Sequence, residues 1–153
     1  MAEGAVRRCT PARGPQRIEG ARFDICKAKG FDAVDPDVLD AYWKASGFPI
    51  TVEDQIRYNG MLAGLADARG MAIALKGDPE LAAREVSTFD FSIDESCVQW
   101  SECGRLAPFL QARKAVFDVE YGTAPAAFCP SLRQLGIVAI EKHVDLDFWR
   151  QPC

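Results

Sequence analysis

Two clusters of acidic residues are the side chains of this sequence best suited to acid–base chemistry. Asp35, Asp37 and Asp40 lie within six positions, directly after a short apolar run, and Asp94 and Glu95 follow another run. Hydrolysis of a glycosidic bond needs two carboxyl groups beside the scissile bond, one to donate a proton and one to attack or to activate water. In a parallel barrel the two clusters would face each other across a cleft, where one carboxylate raises the pKa of its neighbour. The alternative is that these charges only begin solvated loops.

The rest of the composition argues against several other kinds of chemistry. The chain has 153 residues and a single histidine, His143. One histidine leaves no His-paired zinc site, and no catalytic triad unless that residue serves it. Cys97 and Cys103 lack the close CxxC spacing of zinc ribbons, and no Gly-rich phosphate loop is present. The sequence therefore predicts no metal and no cofactor, and His143 is expected to be a surface or loop histidine.

The charge distribution limits the partners. The net charge is −4, while the first 20 residues carry four arginines against two glutamates, so the body of the chain is acidic. Nucleic acid is a poor partner because phosphate neutralisation needs a basic surface, whereas a cationic or neutral ligand is permitted. No apolar run approaches the roughly 20 residues that cross a bilayer, and no secretory signal is recognisable. We expect a soluble chain without a membrane partner; a plain solvated acidic surface is the alternative reading of the charge.

A repeated pattern of apolar runs and helical segments must position the acidic clusters. Residues 1–20 are rich in Gly, Pro, Arg and Ala and are expected to form an irregular tail. Beyond them, short runs that are rich in Val, Ile and Phe and mostly apolar on both faces favour parallel strands covered by helices over half-exposed antiparallel strands. The five predicted strands are Phe31–Val34, Met71–Leu75, Phe89–Ile93, Ala115–Val119 and Ile137–Ile140.

Helix signals fill the intervals between these strands. Thr51 and Asp54 make a capping-box-like start to a helix that ends near Gly70, and Gly30 and Gly136 stand where a helix C-cap precedes a strand. Shorter helical segments are predicted at Pro79–Val86, Gly104–Lys114 and Ala126–Leu135. The pattern is a repeated βα unit, in which the carboxyl ends of the strands hold the site. The charged residues after each strand are therefore expected to converge on one face.

Residues 30–42, with the sequence GFDAVDPDVLDAY, resemble the signature of glycoside hydrolase family 114, the endo-α-1,4-polygalactosaminidases. Further elements resemble those of the family in the same order along the chain. They are GFPIT at 47–51, DQ at 54–55, YN at 58–59, ALKGD at 74–78, DESC at 94–97, EC at 102–103, VFDVEY at 116–121 and DLD at 145–147. The resemblance covers residues from about Arg22 to Cys153 and is not seen in residues 1–20.

This resemblance implies an α/β fold of the (β/α)₈ TIM-barrel type. It also implies an enzyme that cuts chains of galactosamine and N-acetylgalactosamine internally. Its catalytic carboxylates fall on Asp37 and Glu95, with retention favoured and Asp37 taken as the nucleophile. The sequence does not separate the two roles. The expected partner is a cationic, partly deacetylated aminosugar polymer, which suits an acidic body.

Other polar and aromatic residues of the matched elements are expected to contact the substrate. Some line the cleft by resemblance or neighbour the catalytic pair, and others carry flat rings that follow strand ends and suit sugar faces. The expected substrate-binding residues are Asp35, Asp40, Tyr42, Lys76, Asp94, Trp100, Glu120 and Tyr121. Trp149, near the C-terminus, is expected in the core.

The sequence departs from the family pattern in side chains and in length. Val38, Gly77 and Asp94 stand where the family has Asn, which removes hydrogen-bonding amides, and Asp35 stands where it often has Glu. A complete barrel takes about 250 residues, so residues 21–153 are expected to form a partial barrel without the first three βα units. The structural alternative is a smaller open α/β sheet. The functional alternatives are a truncated, non-catalytic barrel that binds aminosugar polymer or is inactive, and another carboxylate-based sugar enzyme on this scaffold.

Six cysteines are many for a cytosolic chain of this length. Cys97 and Cys103 match paired positions of the family, and Cys129 with Cys153 is a second possible disulfide. Such pairing implies export, and the family points to an extracellular enzyme, although no signal peptide is recognised in the chain. Buried free thiols are the alternative. Cys9 and Cys26 have no evident partner.

Overall fold

The computed structural model describes residues 14–153. Helices and strands alternate along this part of the chain, with short 3₁₀ turns before some helices. The helices are α1 (Gly14–Ala28), α2 (Val52–Asp67), α3 (Ala82–Glu85), α4 (Ala107–Gln111) and α5 (Pro125–Leu135). The strands are β1 (Ala33–Val34), β2 (Ala72–Lys76), β3 (Phe91–Glu95), β4 (Val116–Tyr121), β5 (Val138–Lys142) and β6 (Arg150–Pro152). No helix in this described part is long and apolar enough to cross a membrane.

The six strands form one sheet in the order in which they occur along the chain. β2, β3, β4 and β5 pair in parallel, and β6 pairs antiparallel with β5. The fold is therefore α/β with a mostly parallel sheet, and the five strands predicted from apolar runs are confirmed. The register places Lys76 beside Ile93, Glu95 beside Val119 and Tyr121 beside Lys142.

The chain divides into two compact units, of which the first comprises described residues up to Val34 together with Asp40–Ala72. In this unit α1 packs against α2, with Phe23 and Leu62 buried. The predicted capping box is present, because the Thr51 side chain accepts from the Asp54 N–H and the Asp54 carboxylate accepts from the Thr51 N–H.

The second unit comprises Asp35–Leu39 and Ile73–Cys153. Its core contains the fully buried rings of Phe89, Phe109 and Phe128. The predicted strands were expected to be apolar on both faces and not half-exposed, but β4 alternates between buried and more exposed residues. Phe117 is 38% exposed and Val138 on β5 is 58% exposed, so these strands are parallel as predicted but one of their faces is partly exposed. Successive side chains of a strand point to opposite faces, and this face keeps contact with solvent.

The predicted irregular tail is wrong for its last seven residues, because α1 already begins at Gly14 and runs through the expected boundary at residue 20. Gly14 and Pro15 suggested a loop, but proline is tolerated in the first turn of a helix, where its missing N–H would have no partner. Residues 1–13, including Cys9, lie outside the described part of the chain.

Candidate active site

Four side chains at or near the ends of successive strands form the centre of the candidate site: Asp37, Lys76, Glu95 and Tyr121. Each is followed immediately by a residue in the left-handed backbone region. The φ angles are 63° at Val38, 60° at Gly77, 60° at Ser96 and 63° at Gly122. The chain thus turns away from the sheet directly after each of the four side chains.

Lys76 connects the two carboxylates expected to be catalytic. Its Nζ lies 3.4 Å from Asp37 Oδ1 and 3.4 Å from Glu95 Oε1. The two carboxylate oxygens are therefore separated by no more than twice that distance. The hydroxyl of Tyr121 donates to the same Glu95 oxygen at 3.1 Å. The structure thus brings together four of the residues singled out from the sequence, although they are distant along the chain.

The lysine of this group is much less exposed to solvent than the two carboxylates that it contacts. The Lys76 side chain is 12% exposed, whereas those of Asp37 and Glu95 are 75% and 45% exposed. Burial opposes the charge on Lys76, but attraction by Glu95, Asp37 and Asp35 outweighs it, so the pKa of Lys76 is raised and the side chain stays cationic. Burial and the neighbouring Glu95 raise the pKa of Tyr121 to about 12, so it remains a hydrogen-bond donor. Both carboxylates are accessible to a ligand.

Asp35 adds a further negative charge to this group. Desolvation raises its pKa, the Lys76 ammonium opposes that change, and the charges of Asp37 and Glu95 reinforce it. Asp35 is thus electrostatically coupled to the three residues that meet at the Lys76 ammonium, and it belongs to the same site.

Asp94 and Glu120, which were expected to contact substrate, lie in the interior at 3% and 1% exposure. The physical reason is strand alternation, since each directly precedes a residue of the site, Glu95 or Tyr121, and consecutive side chains point to opposite faces. Both side chains are buried in this structure, and their contact with substrate stays a prediction.

Only one of the two buried carboxylate oxygens of Asp94 has a hydrogen-bond partner. One of its oxygens accepts from the Glu95 N–H at 3.0 Å, while Oδ2 is buried without a hydrogen-bond partner. Burial raises the pKa of Asp94 to about 6, against the weaker opposing effect of that hydrogen bond. A neutral Asp94 has one O–H donor, which partly replaces the amide of the family's Asn.

Asp118 was not assigned a role from the sequence, yet it is 1% exposed and shares a sheet face with Glu120. Burial, followed by the charge of Glu120, raises the pKa of Asp118 to about 7. Asp118 Oδ1 accepts from the Cys97 N–H at 3.3 Å, and Glu120 Oε1 accepts from the Val98 N–H at 2.8 Å. The available signal was the spacing of two acidic residues at i and i+2 in a strand.

The remaining predicted contacts lie elsewhere. Asp40 and Tyr42 belong to the first unit, where Asp40 pairs with Lys44 at 3.1 Å and the Tyr42 ring lies 5.5 Å from that of Trp43. Trp100 is 67% exposed in the second unit, in the turn that follows β3. Its position leaves the ring open to solvent.

The two expected disulfides are confirmed. Cys97 is bonded to Cys103 in the segment after β3, and Cys129 of α5 is bonded to Cys153. Cys26 in α1 has a free thiol. Because Cys97 is oxidised, its proximity to Asp118 and Glu120 does not provide a thiolate ligand for a metal.

A second group of metal-ligand type is exposed near the C-terminus and consists of His143, Asp145 and Asp147. His143 Nδ1 lies 2.9 Å from Asp147 Oδ2, and its ring stacks on Trp149 at 4.2 Å. His143 is a surface residue, as predicted. Trp149 is 38% exposed rather than in the core, because its partner is this loop histidine.

Comparison with known proteins identifies the class. The model of glycoside hydrolase family GH114 matches residues 3–153, and the chain belongs to this family. The match includes most of the first 20 residues, which were expected to lack any resemblance. A search of curated proteins finds no match.

Solved structures of two proteins, Ega3 and PelA, are similar to this chain. The crystal structure of Aspergillus fumigatus Ega3 in complex with galactosamine superposes with a TM-score of 0.82 at 29% identity and covers 90% of this chain. The chain spans 60% of the Ega3 chain. The glycoside hydrolase domain of PelA from Pseudomonas aeruginosa gives a TM-score of 0.65 at 15% identity. That match covers 96% of this chain and 70% of the PelA chain. The PelA likeness concerns the fold alone.

Proposed function

We propose that this chain is an endo-α-1,4-polygalactosaminidase, a glycosidase that cleaves α-1,4-linked galactosamine and N-acetylgalactosamine polysaccharide. The observation that carries the proposal is the contact of one partly buried lysine with two accessible carboxylates, Asp37 and Glu95. Membership of GH114 and the galactosamine bound to Ega3 support the substrate class. The acidic net charge suits a cationic, partly deacetylated polymer.

In the proposed mechanism Asp37 attacks the anomeric carbon while Glu95 gives its proton to the leaving glycosidic oxygen. The resulting glycosyl ester on Asp37 is then hydrolysed by a water whose proton returns to Glu95. Retaining glycosidases hold their carboxyl groups about 5–5.5 Å apart, a spacing that the shared contact with Lys76 allows. Lys76 and Tyr121 both contact Oε1 of Glu95, so we assign the transferred proton to Oε2.

Four further side chains are proposed to contact the sugar chain. Asp35 is coupled to the catalytic centre, and its carboxylate would attract a cationic amino sugar. Trp100 offers an exposed ring for stacking. Asp40 and Tyr42 are retained from the family resemblance.

We further propose that β1–β5 correspond to the fourth to eighth strands of a (β/α)₈ barrel. This reading is supported by the parallel strand order and by the share of Ega3 that the chain spans. The two disulfides support an exported, extracellular protein, because disulfides persist in oxidising compartments.

The test is mass spectrometry of the products released from partly deacetylated α-1,4-galactosaminogalactan. We expect oligosaccharides from the native chain and a loss of about 100-fold or more in rate for Asp37→Asn and Glu95→Gln. Asp67→Asn, at an exposed carboxylate of α2, is the matched control and should keep the native rate. An unchanged rate in Glu95→Gln would exclude the proposed pair. Proton NMR of the first-formed anomer distinguishes retention from inversion.

The second candidate function is binding of the polymer without cleavage. It is favoured by Val38, Gly77 and Asp94, which replace amides of the family pattern, and by the partial coverage of Ega3. Calorimetric binding of the polymer with no released products would support it. Products from a different α-linked polysaccharide, and none from galactosaminogalactan, would instead indicate another glycosidase specificity.

A further inference from the structure

We infer that Asp118 and Glu120 act together as a buried carboxyl clamp that positions Glu95 for the proposed reaction. The inference rests on the proposed function for the role of Glu95, and on the structure for the clamp itself. It assigns Glu120 to the support of the site rather than to contact with substrate.

The first step is the hydrogen bonding of the backbone that follows Glu95. Three consecutive amides in this segment donate to one strand, β4. Ser96 N–H donates to the Val119 carbonyl at 2.9 Å, Cys97 N–H to Asp118 at 3.3 Å and Val98 N–H to Glu120 at 2.8 Å. β4 thus fixes the chain directly after Glu95 through one main-chain and two side-chain acceptors.

The second step is the conformation that these bonds hold. Ser96 has φ of 60°, a left-handed conformation that a non-glycine residue adopts at a cost. The Cys97–Cys103 disulfide closes the same turn. Because the clamp holds the two residues beyond Ser96, its loss allows the turn to relax and displaces Glu95 relative to Lys76 and Tyr121.

The third step is the electrostatics of the clamp. Asp118 and Glu120 lie two residues apart on one face of β4 and are both 1% exposed, so a second negative charge there is costly. The neighbouring strands add acidic groups in register, Asp94 beside Asp118 and Glu141 beside Glu120. Asp118 Oδ2 is buried without a hydrogen-bond partner, and a proton on that oxygen removes the repulsion while one oxygen of each carboxyl still accepts from an amide. With the pKa of Asp118 at about 7, the clamp holds this proton at acidic pH and loses it in alkaline solution.

The experiment compares Asp118→Asn, Asp118→Ala and the control Asp67→Asn. Asparagine keeps an acceptor for the Cys97 amide and stays uncharged at every pH, whereas alanine removes the acceptor. For Asp118→Ala we expect kcat to fall by about tenfold or more with KM changed less than twofold, since a misplaced catalytic group costs rate rather than binding. Asp118→Asn should restore kcat at the pH optimum, and the ratio of its kcat to that of the wild type should rise between pH 6 and pH 9, since loss of the Glu95 proton at alkaline pH lowers kcat in both proteins alike.

Amide hydrogen exchange provides a readout that is independent of activity. We expect protection of the Cys97 and Val98 amides to fall in the wild type between pH 6 and pH 9, and to stay constant in Asp118→Asn. If the chain proves inactive, this result alone supports the clamp while the proposed function fails. Equal pH dependence of protection in wild type and Asp118→Asn would overturn the clamp. Altered protection with kcat unchanged in an active enzyme would overturn its positioning role. If Asp118→Ala does not fold, the Asp118→Asn comparison decides both points.

Discussion

At the scale of single residues, neighbouring carboxylates in this chain occupy opposite environments. Glu95 is 45% exposed and contacts Lys76, whereas Asp94, one position earlier, is buried with one oxygen unpartnered. Two acidic residues adjacent in sequence therefore differ in how far their carboxylates are open to solvent. The accessible one is available for chemistry, and the buried one affects how stability depends on pH.

We predict that Asp94→Asn stabilises the protein at alkaline but not at acidic pH. The pKa of Asp94 is about 6 in the folded state, above its ordinary value of 3.8, so the folded state binds the proton more tightly. Its contribution to stability is therefore full below pH 3.8 and is lost as pH rises through 6. At pH 8 the variant should gain about 1–3 kcal/mol in free energy of unfolding.

Urea denaturation of wild type and Asp94→Asn at pH 4 and pH 8 checks this expectation, with Asp67→Asn as an exposed control. An equal gain at both pH values would show that the amide acts through a new hydrogen bond instead of through removal of the charge.

A backbone effect at Val38 gives a second prediction. This β-branched residue has φ of 63°, which strains the backbone, and it is 50% exposed. Burial of its side chain therefore offsets little of the strain. Gly77, another departure from the family's Asn, has φ of 60°, which glycine accepts freely. Val38→Asn should raise the free energy of unfolding by about 1 kcal/mol, because Asn tolerates this conformation.

Thermal denaturation of Val38→Asn tests the strain at this position. Val144→Asn is the matched control, since Val144 is 80% exposed and has no positive φ. A gain of the same size in both variants would attribute the effect to surface polarity and not to the backbone.

At the scale of elements, the sequence predicted those strands and helix ends that depend on residues close together along the chain. Apolar runs identified β1 to β5, and Thr51 with Asp54 identified the start of α2. β6 was not predicted because its three residues are exposed and include Pro152, so only its pairing with β5 makes it a strand. The beginning of α1 was missed because Gly and Pro also signal loops.

The two disulfides tie different elements and are predicted to have different consequences. Cys129–Cys153 closes a separation of 24 residues and joins α5 to the end of the chain, whereas Cys97–Cys103 closes 6 residues in the turn after Glu95. Loop entropy predicts losses of about 3 and about 2 kcal/mol, respectively, in free energy of unfolding when the pairs are replaced by serine. Only the Cys97/Cys103 double variant should also lower kcat.

Chemical denaturation and product release, measured on both double serine variants, separate stability from activity. Loss of kcat in the Cys129/Cys153 variant under conditions where it remains folded would contradict this division between the two disulfides.

At the scale of the whole molecule, the site depends on which residues the fold brings together. The resemblance predicted Asp37 and Glu95 as a pair, but it did not predict that Lys76 contacts both. Nor did sequence spacing show that Glu120 is buried, because that depends on which face of the sheet the helices cover. The sequence thus predicted which carboxylates lie near each other better than it predicted the residues that surround them.

The charge of the whole molecule leads to the last prediction. The net charge is −4, and Asp35, Asp37 and Glu95 outnumber the one lysine among them. A cationic polymer should be attracted over distances that salt screens, so raising ionic strength from 20 to 500 mM should increase KM for a partly deacetylated substrate by about tenfold. The fully N-acetylated polymer carries no amine charge, and its KM should change less than twofold. Steady-state kinetics on both substrates measures the difference. Parallel responses of the two polymers would mean that sugar contacts, and not long-range charge, determine recognition, because screening acts only on the charged substrate.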